Sequence, residues 1–113
     1  MTFPDMPRVL RVEDDPDQLA LRKLIFERNG YQVADASSAR EALDRLPGCD
    51  VVVMDLKLPE AQDGLELIHA IGESARIIVL SGAGEANVPV DLFLLKPCST
   101  QVLLDAVAKL CAT

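Results

Sequence analysis

Val51-Val52-Val53-Met54-Asp55 decides the fold. The first four residues are apolar, and three of them are β-branched. They show no alternation of polar and apolar positions, so this strand is expected to be covered on both faces. Such a strand belongs in the middle of a parallel sheet with helices on either side. The run then stops on a carboxylate, and three other short apolar runs stop in a similar way. Val9-Leu10-Arg11-Val12 leads into Glu13-Asp14-Asp15, Ile77-Ile78-Val79-Leu80 into Ser81, and Leu92-Phe93-Leu94-Leu95 into Lys96-Pro97. In open parallel α/β sheets, ligands bind beyond the carboxyl ends of the strands, where strand order reverses. Acids, a hydroxyl and an ammonium group far apart in sequence would therefore meet in one crevice.

The segments between these runs read as helices. Asp15 can cap a helix and Pro16 suits its first position, where a missing N–H costs nothing. Leu21, Leu24, Ile25 and Arg28 follow at helical spacing, and Asn29-Gly30 stops the helix. Tyr31 to Asp35 reads as a short alternating strand. Ser38-Ala39-Arg40-Glu41 has the form of a capping box, with Ala42, Leu43 and Leu46 inward and Pro47-Gly48 as the stop. Asp63-Gly64 opens a third helix with Leu65, Ile68 and Ile71 inward and Gly72 at its end. Ser99 caps a last helix whose apolar face is Val102, Leu103, Ala106, Val107 and Leu110. Alternating strands and helices mark βαβ units, whose right-handed crossovers put helices on both faces of the sheet. The rhythm breaks once, between Ser81 and Asp91. Two glycines and a proline there leave room for one helical turn at most.

A chain of 113 residues with 50% hydrophobic residues is one domain with one core. Residues 1–7, with two prolines, read as a loose leader, and residues 8–113 as the domain. Aromatics are 4% of the chain, so aliphatic side chains must fill that core. A net charge of −7 argues against nucleic acid, which needs a basic footprint. No apolar run approaches the ~18 residues that cross a bilayer. The cysteines Cys49, Cys98 and Cys111 show no paired spacing, which favours reduced thiols and a cytoplasmic location.

Glu13, Asp14 and Asp55 are the first chemical constellation. Carboxylates converging in a cleft repel one another, and a hard divalent cation removes that penalty. Taken alone, acids after a strand cap the next helix just as readily. The balance changes because Asp55, Ser81 and Lys96 stand at equivalent strand ends. A carboxylate at the exit of the most buried strand can act as a nucleophile toward phosphorus. Lys96 and magnesium would neutralise the phosphoryl oxygens, and the Ser81 hydroxyl would bond one of them.

With these pieces in place, the chain resembles the receiver domain of two-component response regulators. The resemblance rests on Glu13-Asp14-Asp15-Pro16, Met54-Asp55-Leu56-Lys57-Leu58-Pro59, Asp63-Gly64-Leu65-Glu66-Leu67, Leu80-Ser81-Gly82 and Leu95-Lys96-Pro97. It implies a flavodoxin-like fold, a doubly wound five-stranded parallel sheet in the order 2-1-3-4-5, here with a shortened or missing fourth helix. It implies that Asp55 accepts a phosphoryl group from a histidine kinase or a histidine phosphotransfer protein. Glu13 and Asp14 would be the acid pair, Asp14 the direct magnesium ligand, and Lys57 would offer the metal its backbone carbonyl. Ser81 and Phe93 would be the switch residues and Lys96 the companion lysine. The output partner is open, a homodimer is admitted, and Arg22, Lys23 and Arg28 are candidate contacts for the kinase-side partner.

The chain also departs from the family. Phe93 has no hydroxyl, so an aromatic switch works by packing alone. The loop from Pro59 to Asp63 is one residue longer than is common in the family, and Cys98 replaces an aromatic. Arg11 takes a position that is usually apolar, and it needs a partner or a route to solvent. The reading is of a signalling switch, not a turnover enzyme. One alternative is a degenerate receiver that acts as a phosphorylation-independent interaction module, motivated by the abbreviated segment after Ser81. Another is a magnesium-dependent phosphatase. That reading is weak, because the general acid it needs two residues after the nucleophile is here Lys57. His69 reads as a solvated helix residue and Cys98 as a small buried thiol.

Overall fold

A computed structural model describes residues 7–55, 61–81 and 90–111 of the chain, and for 61–63 the helical backbone alone. The elements run β1 (Arg8–Val12), α1 (Pro16–Arg28), β2 (Gln32–Ala36), α2 (Ala39–Arg45), β3 (Val51–Asp55), α3 (Ala61–Ile71), β4 (Arg76–Ser81), β5 (Leu92–Leu95) and α4 (Thr100–Cys111). The five strands form one parallel sheet in the order β2-β1-β3-β4-β5. This is the doubly wound flavodoxin-like arrangement expected, with four helices among the described residues. The leader at 1–6, the Lys57 carbonyl, Pro59 and the abbreviated segment at 82–89 lie outside them.

β3 is buried along its whole length, as its apolar run requires. Successive side chains alternate between two cores. Leu10, Val12, Val52, Met54, Ile77 and Val79 pack against Ala42 of α2 and Leu67, Ile68 and Ile71 of α3. Val9, Val51, Val53, Ile78 and Leu80 pack against Phe26 of α1 and Leu103, Ala106, Val107 and Leu110 of α4. Burying each of these side chains contributes about 1.5–3 kcal/mol, enough to fix the register of both helical layers.

The caps follow the sequence with one change. Asp15 accepts from the Asp17 amide at 3.0 Å, and Pro16 follows it. Ser38 accepts from the Glu41 amide at 3.2 Å, but Glu41 reaches back to Ser37, not to Ser38. Those Ser37 bonds hold the exposed Glu41 carboxyl below its ordinary pKa. Ser99 caps α4 through the Val102 amide at 3.1 Å. Gly30, at φ +92°, turns the chain from α1 into β2 in a conformation that disfavours other residues.

Several inward faces differ from expectation. On α1, Leu21 and Leu24 are 54% and 48% exposed, and Phe26 is the buried side chain. The inner stripe is Leu19, Arg22, Lys23, Ile25 and Phe26, two of the five basic, so apolar periodicity alone places only part of it. Leu43, Leu65 and Val102 are also exposed, one step off the stripes that contain Ala42, Leu67-Ile68 and Leu103. α3 begins at Ala61, ahead of Asp63-Gly64, and β2 runs one residue later than read, from Gln32 to Ala36.

Candidate functional site

The carboxyl ends of β1, β3 and β5 open into a cavity of about 540 Å³, lined by Glu13, Asp14, Asp15, Gln18, Arg22, Asp55, Lys96, Pro97 and Cys98. Each side chain arrives there for a local reason. Val51, Val53 and Asp55 share one face of β3 by alternation, so the strand that anchors the core delivers Asp55 to the rim. Glu13 follows β1 on the face that carries Val9 and Arg11, and its amide donates to the Ala36 carbonyl at 3.0 Å. Lys96 follows β5, fixed by its own amide donating to the Ser81 carbonyl at 2.8 Å. The peptide bond to Pro97 is cis.

The Lys96 ammonium pairs directly with Oδ2 of Asp55. Asp55 and Glu13 are 7% and 8% exposed, so two carboxylates sit nearly out of water at the cavity floor. Burial pushes the Glu13 carboxyl above its ordinary pKa. The neighbouring Asp55 charge pushes the same way, and Lys96 and Arg11 oppose it. Among the described residues no three His, Cys, Asp or Glu side chains group closely enough to hold a metal unaided. Even so, the donors on the cavity wall are hard carboxylate oxygens, and magnesium takes few of these and keeps several waters. The donor set therefore suits that ion.

The structure thus brings together four of the expected site residues, Glu13, Asp14, Asp55 and Lys96. Ser81 ends the adjoining strand and is 1% exposed, but it is not among the described residues that line the cavity. Phe93 is half-buried and packs on the α2–α3 core beside β4. Arg22 was read only as a candidate partner contact. It stands in the cavity wall and donates to the Cys98 carbonyl at 3.3 Å. The signal available for it was a basic residue seven positions after Asp15, two helical turns above the acids. Lys23 pairs with Asp35 at 3.9 Å, while Arg28 is exposed.

A second and larger cavity, about 720 Å³, opens at the amino ends of the strands beside Asp50, His69, Arg76 and Asp91. There Asp91 serves structure: it accepts from the Ile77 amide at 2.7 Å and pairs with Arg76 at 3.8 Å. His69 is exposed, as expected, and Cys98 is half-buried. Of these two cavities among the described residues, the carboxyl-end one joins buried acids to a lysine across the sheet's reversal point, where β1 lies between β2 and β3.

Comparison with known proteins decides the family. The model of the response regulator receiver domain matches residues 9–108. The chain belongs to this family. Sporulation initiation phosphotransferase F of Bacillus subtilis is 31% identical over 85 residues, 71% of this chain and 68% of that protein. The receiver domain structure from Methanospirillum hungatei superposes with a TM-score of 0.83 at 28% identity, covering 96% of both chains. The response regulator TrrA of Thermotoga maritima, solved with Mg²⁺ and BeF, gives 0.80 at 28% identity, over 93% of this chain and 99% of that one. Other curated relatives are longer, and the chain spans 16% to 42% of the length of four of them. This receiver domain is therefore of the kind found in two-component response regulators. No helix among its described residues is long and apolar enough to cross a membrane.

Proposed function

We propose that this receiver is a phosphoacceptor and that Asp55 is the acceptor. The observation that carries the proposal is the pairing of the Lys96 ammonium with Asp55, at the floor of a cavity that also holds Glu13 and Asp14. An Asp55 oxygen attacks phosphorus, a P–O bond forms, and the P–N bond of a phosphohistidine breaks. The electron pair stays on the donor's imidazole nitrogen. The reaction needs an in-line approach and neutralisation of the phosphoryl oxygens more than it needs proton transfer. Lys96 stands beside the acceptor and offers a cation to the group that arrives. Glu13 and Asp14 would hold magnesium, which supplies further neutralising charge when bound.

The donor is a histidine kinase or a histidine phosphotransfer protein. Receiver domains of this family interact with both classes. α1 borders the cavity through Gln18 and Arg22 and presents exposed Leu21 and Leu24 beside it, a surface on which a helical partner can bring its histidine to Asp55. Phosphorylation puts a doubly negative group into the cavity. Asp55 is then an acyl phosphate with its charge on the phosphoryl oxygens, Lys96 pairs with these in place of the carboxylate, and the strand before it carries Phe93, which packs under the α2–α3 layer. A pre-existing equilibrium shifts, and a partner reads the result.

Incubation with acetyl phosphate and magnesium should add one phosphoryl mass to the intact protein, and Asp55→Asn should abolish the addition. Equal labelling of the variant and the wild type would refute the assignment.

A further inference from the structure

Arg11 is a charge in the wrong place for a receiver core. It lies mid-strand in β1, is 1% exposed, and is the largest fully buried side chain described. Its only described hydrogen bond is a long one, Nη1 to the Val53 carbonyl at 3.5 Å, and Nε and Nη2 have none. A buried guanidinium so poorly bonded is costly and needs an electrostatic reason to persist. The register supplies one. Arg11 is paired across β1–β2 with Asp35 and across β1–β3 with Val53. Alternation places Glu13 and Asp55 on the same face, each two residues further toward the rim. At strand rise that is about 6–7 Å above it. Burial and then the charge of Arg22 disfavour the Arg11 cation, and Glu13, Asp35 and Asp55 oppose them by attracting it. One oxygen of Asp35 is also buried without a hydrogen bond, while the other pairs with Lys23. Arg11 is thus held by the fields of carboxylates on two sides, not by a closed set of hydrogen bonds.

We propose that Arg11 is a resident counter-cation of the acidic pocket. From beneath, it offsets the repulsion between Glu13 and Asp55 in the metal-free protein, and it thereby weakens the pocket's hold on a divalent cation. This rests on the metal-binding reading of Glu13 and Asp14 given above. The four carboxylates of the wall, Glu13, Asp14, Asp15 and Asp55, facing Lys96 and Arg22, leave the pocket two charges negative; with Arg11 the excess is one. A metal ion gains correspondingly less on entering. Arg11 touches neither acceptor nor donor, so it is a positioning residue that acts through Glu13 and Asp55.

The test is calorimetric titration of magnesium into the full chain after chelator treatment. Arg11→Met keeps the length and burial of the side chain and removes its charge. It should bind magnesium about tenfold tighter than wild type, since a like charge buried beneath the acids that would hold the ion is gone. Arg11→Lys keeps the charge and should stay near wild type. If the Met variant does not fold, Arg11→Gln, which retains a donor for the Val53 carbonyl, takes its place with the same expectation. A Met or Gln variant that binds magnesium as weakly as wild type overturns the proposal. So does a Lys variant that binds as tightly as Met. These results leave the metal site itself standing, whereas no magnesium binding by any form removes both readings.

Discussion

On β1 and β3 the even-numbered positions, Leu10, Val12, Val52 and Met54, face α2 and α3 and are wholly apolar. The odd-numbered positions face α1 and α4. They begin as Val9, Val51 and Val53 and then give way to Arg11 and Asp55, with Glu13 beyond. The same strands therefore bury hydrocarbon on one side and charge on the other. α2 and α3 meet their side with Ala42, Leu67, Ile68 and Ile71. α1 meets the charged side with Arg22 and Lys23 and secures itself by Phe26. One layer is fixed by packing alone; in the other, α4 packs through Leu103, Ala106, Val107 and Leu110, while α1 is fixed by one aromatic anchor and a set of charges. A face that holds charges close together has less room for apolar side chains.

The largest effect should come from the anchor. Phe26→Ala should cost about 3–5 kcal/mol in urea unfolding, and Ile68→Ala on the apolar layer about 2–5 kcal/mol. Phe26 is fully buried and meets Tyr31 edge-on at 5.9 Å, so little can collapse into its space. A loss below about 1 kcal/mol for Phe26→Ala would mean that the charge lattice, not the aromatic, holds α1 down.

This asymmetry also explains which parts were legible in the sequence. Val51 to Met54 carried the sheet, because an unbroken apolar run ending on an acid has few other uses. Ordered strand ends carried Glu13, Asp14, Asp55 and Lys96. α1 was misread because its inner stripe holds Arg22 and Lys23, and a period count scores basic residues as solvent-facing. Of the residues read at helical spacing, Ile25 is half-buried and the fold leaves Leu21 and Leu24 exposed. Arg11 was visible as an anomaly, but its neighbour Asp35 was not. That pairing exists only through the β1–β2 register, which joins residues 24 positions apart. Ser81 was legible as the end of β4; its buried position off the cavity wall depends on strand twist and packing, which no pattern encodes.

The two helix caps give a smaller test of the same contrast. Ser38→Ala on the apolar layer should cost about 1 kcal/mol and leave magnesium affinity unchanged. Asp15→Ala should cost about the same in unfolding, but because Asp15 also lines the cavity it should weaken magnesium binding as well. Identical magnesium titrations for the two variants would show that the charge lattice ends at Glu13 and Asp14.

The smallest expected effect is a change of slope with pH. Glu13 has a raised pKa in the folded protein, first from burial and then from Asp55. Below the unfolded value, both states are protonated and Glu13 contributes nothing. Between the unfolded and folded values, the folded state binds more protons, so stability falls as pH rises. Above the folded value, the penalty for burying the charge is complete. In chelator, Glu13→Gln should therefore exceed wild type in stability at neutral pH, and the gap should close as pH falls through the raised folded value toward the ordinary carboxylate range. Magnesium should reverse the order at neutral pH by stabilising wild type alone, since an ion that binds only the folded state adds to its stability. Unfolding curves collected from about pH 4.5 to 7.5 in chelator, and again in magnesium, separate the two contributions. A gap that stays constant with pH would mean that the Glu13 carboxylate costs nothing at its buried site. The charged layer would then be as well satisfied as the apolar one.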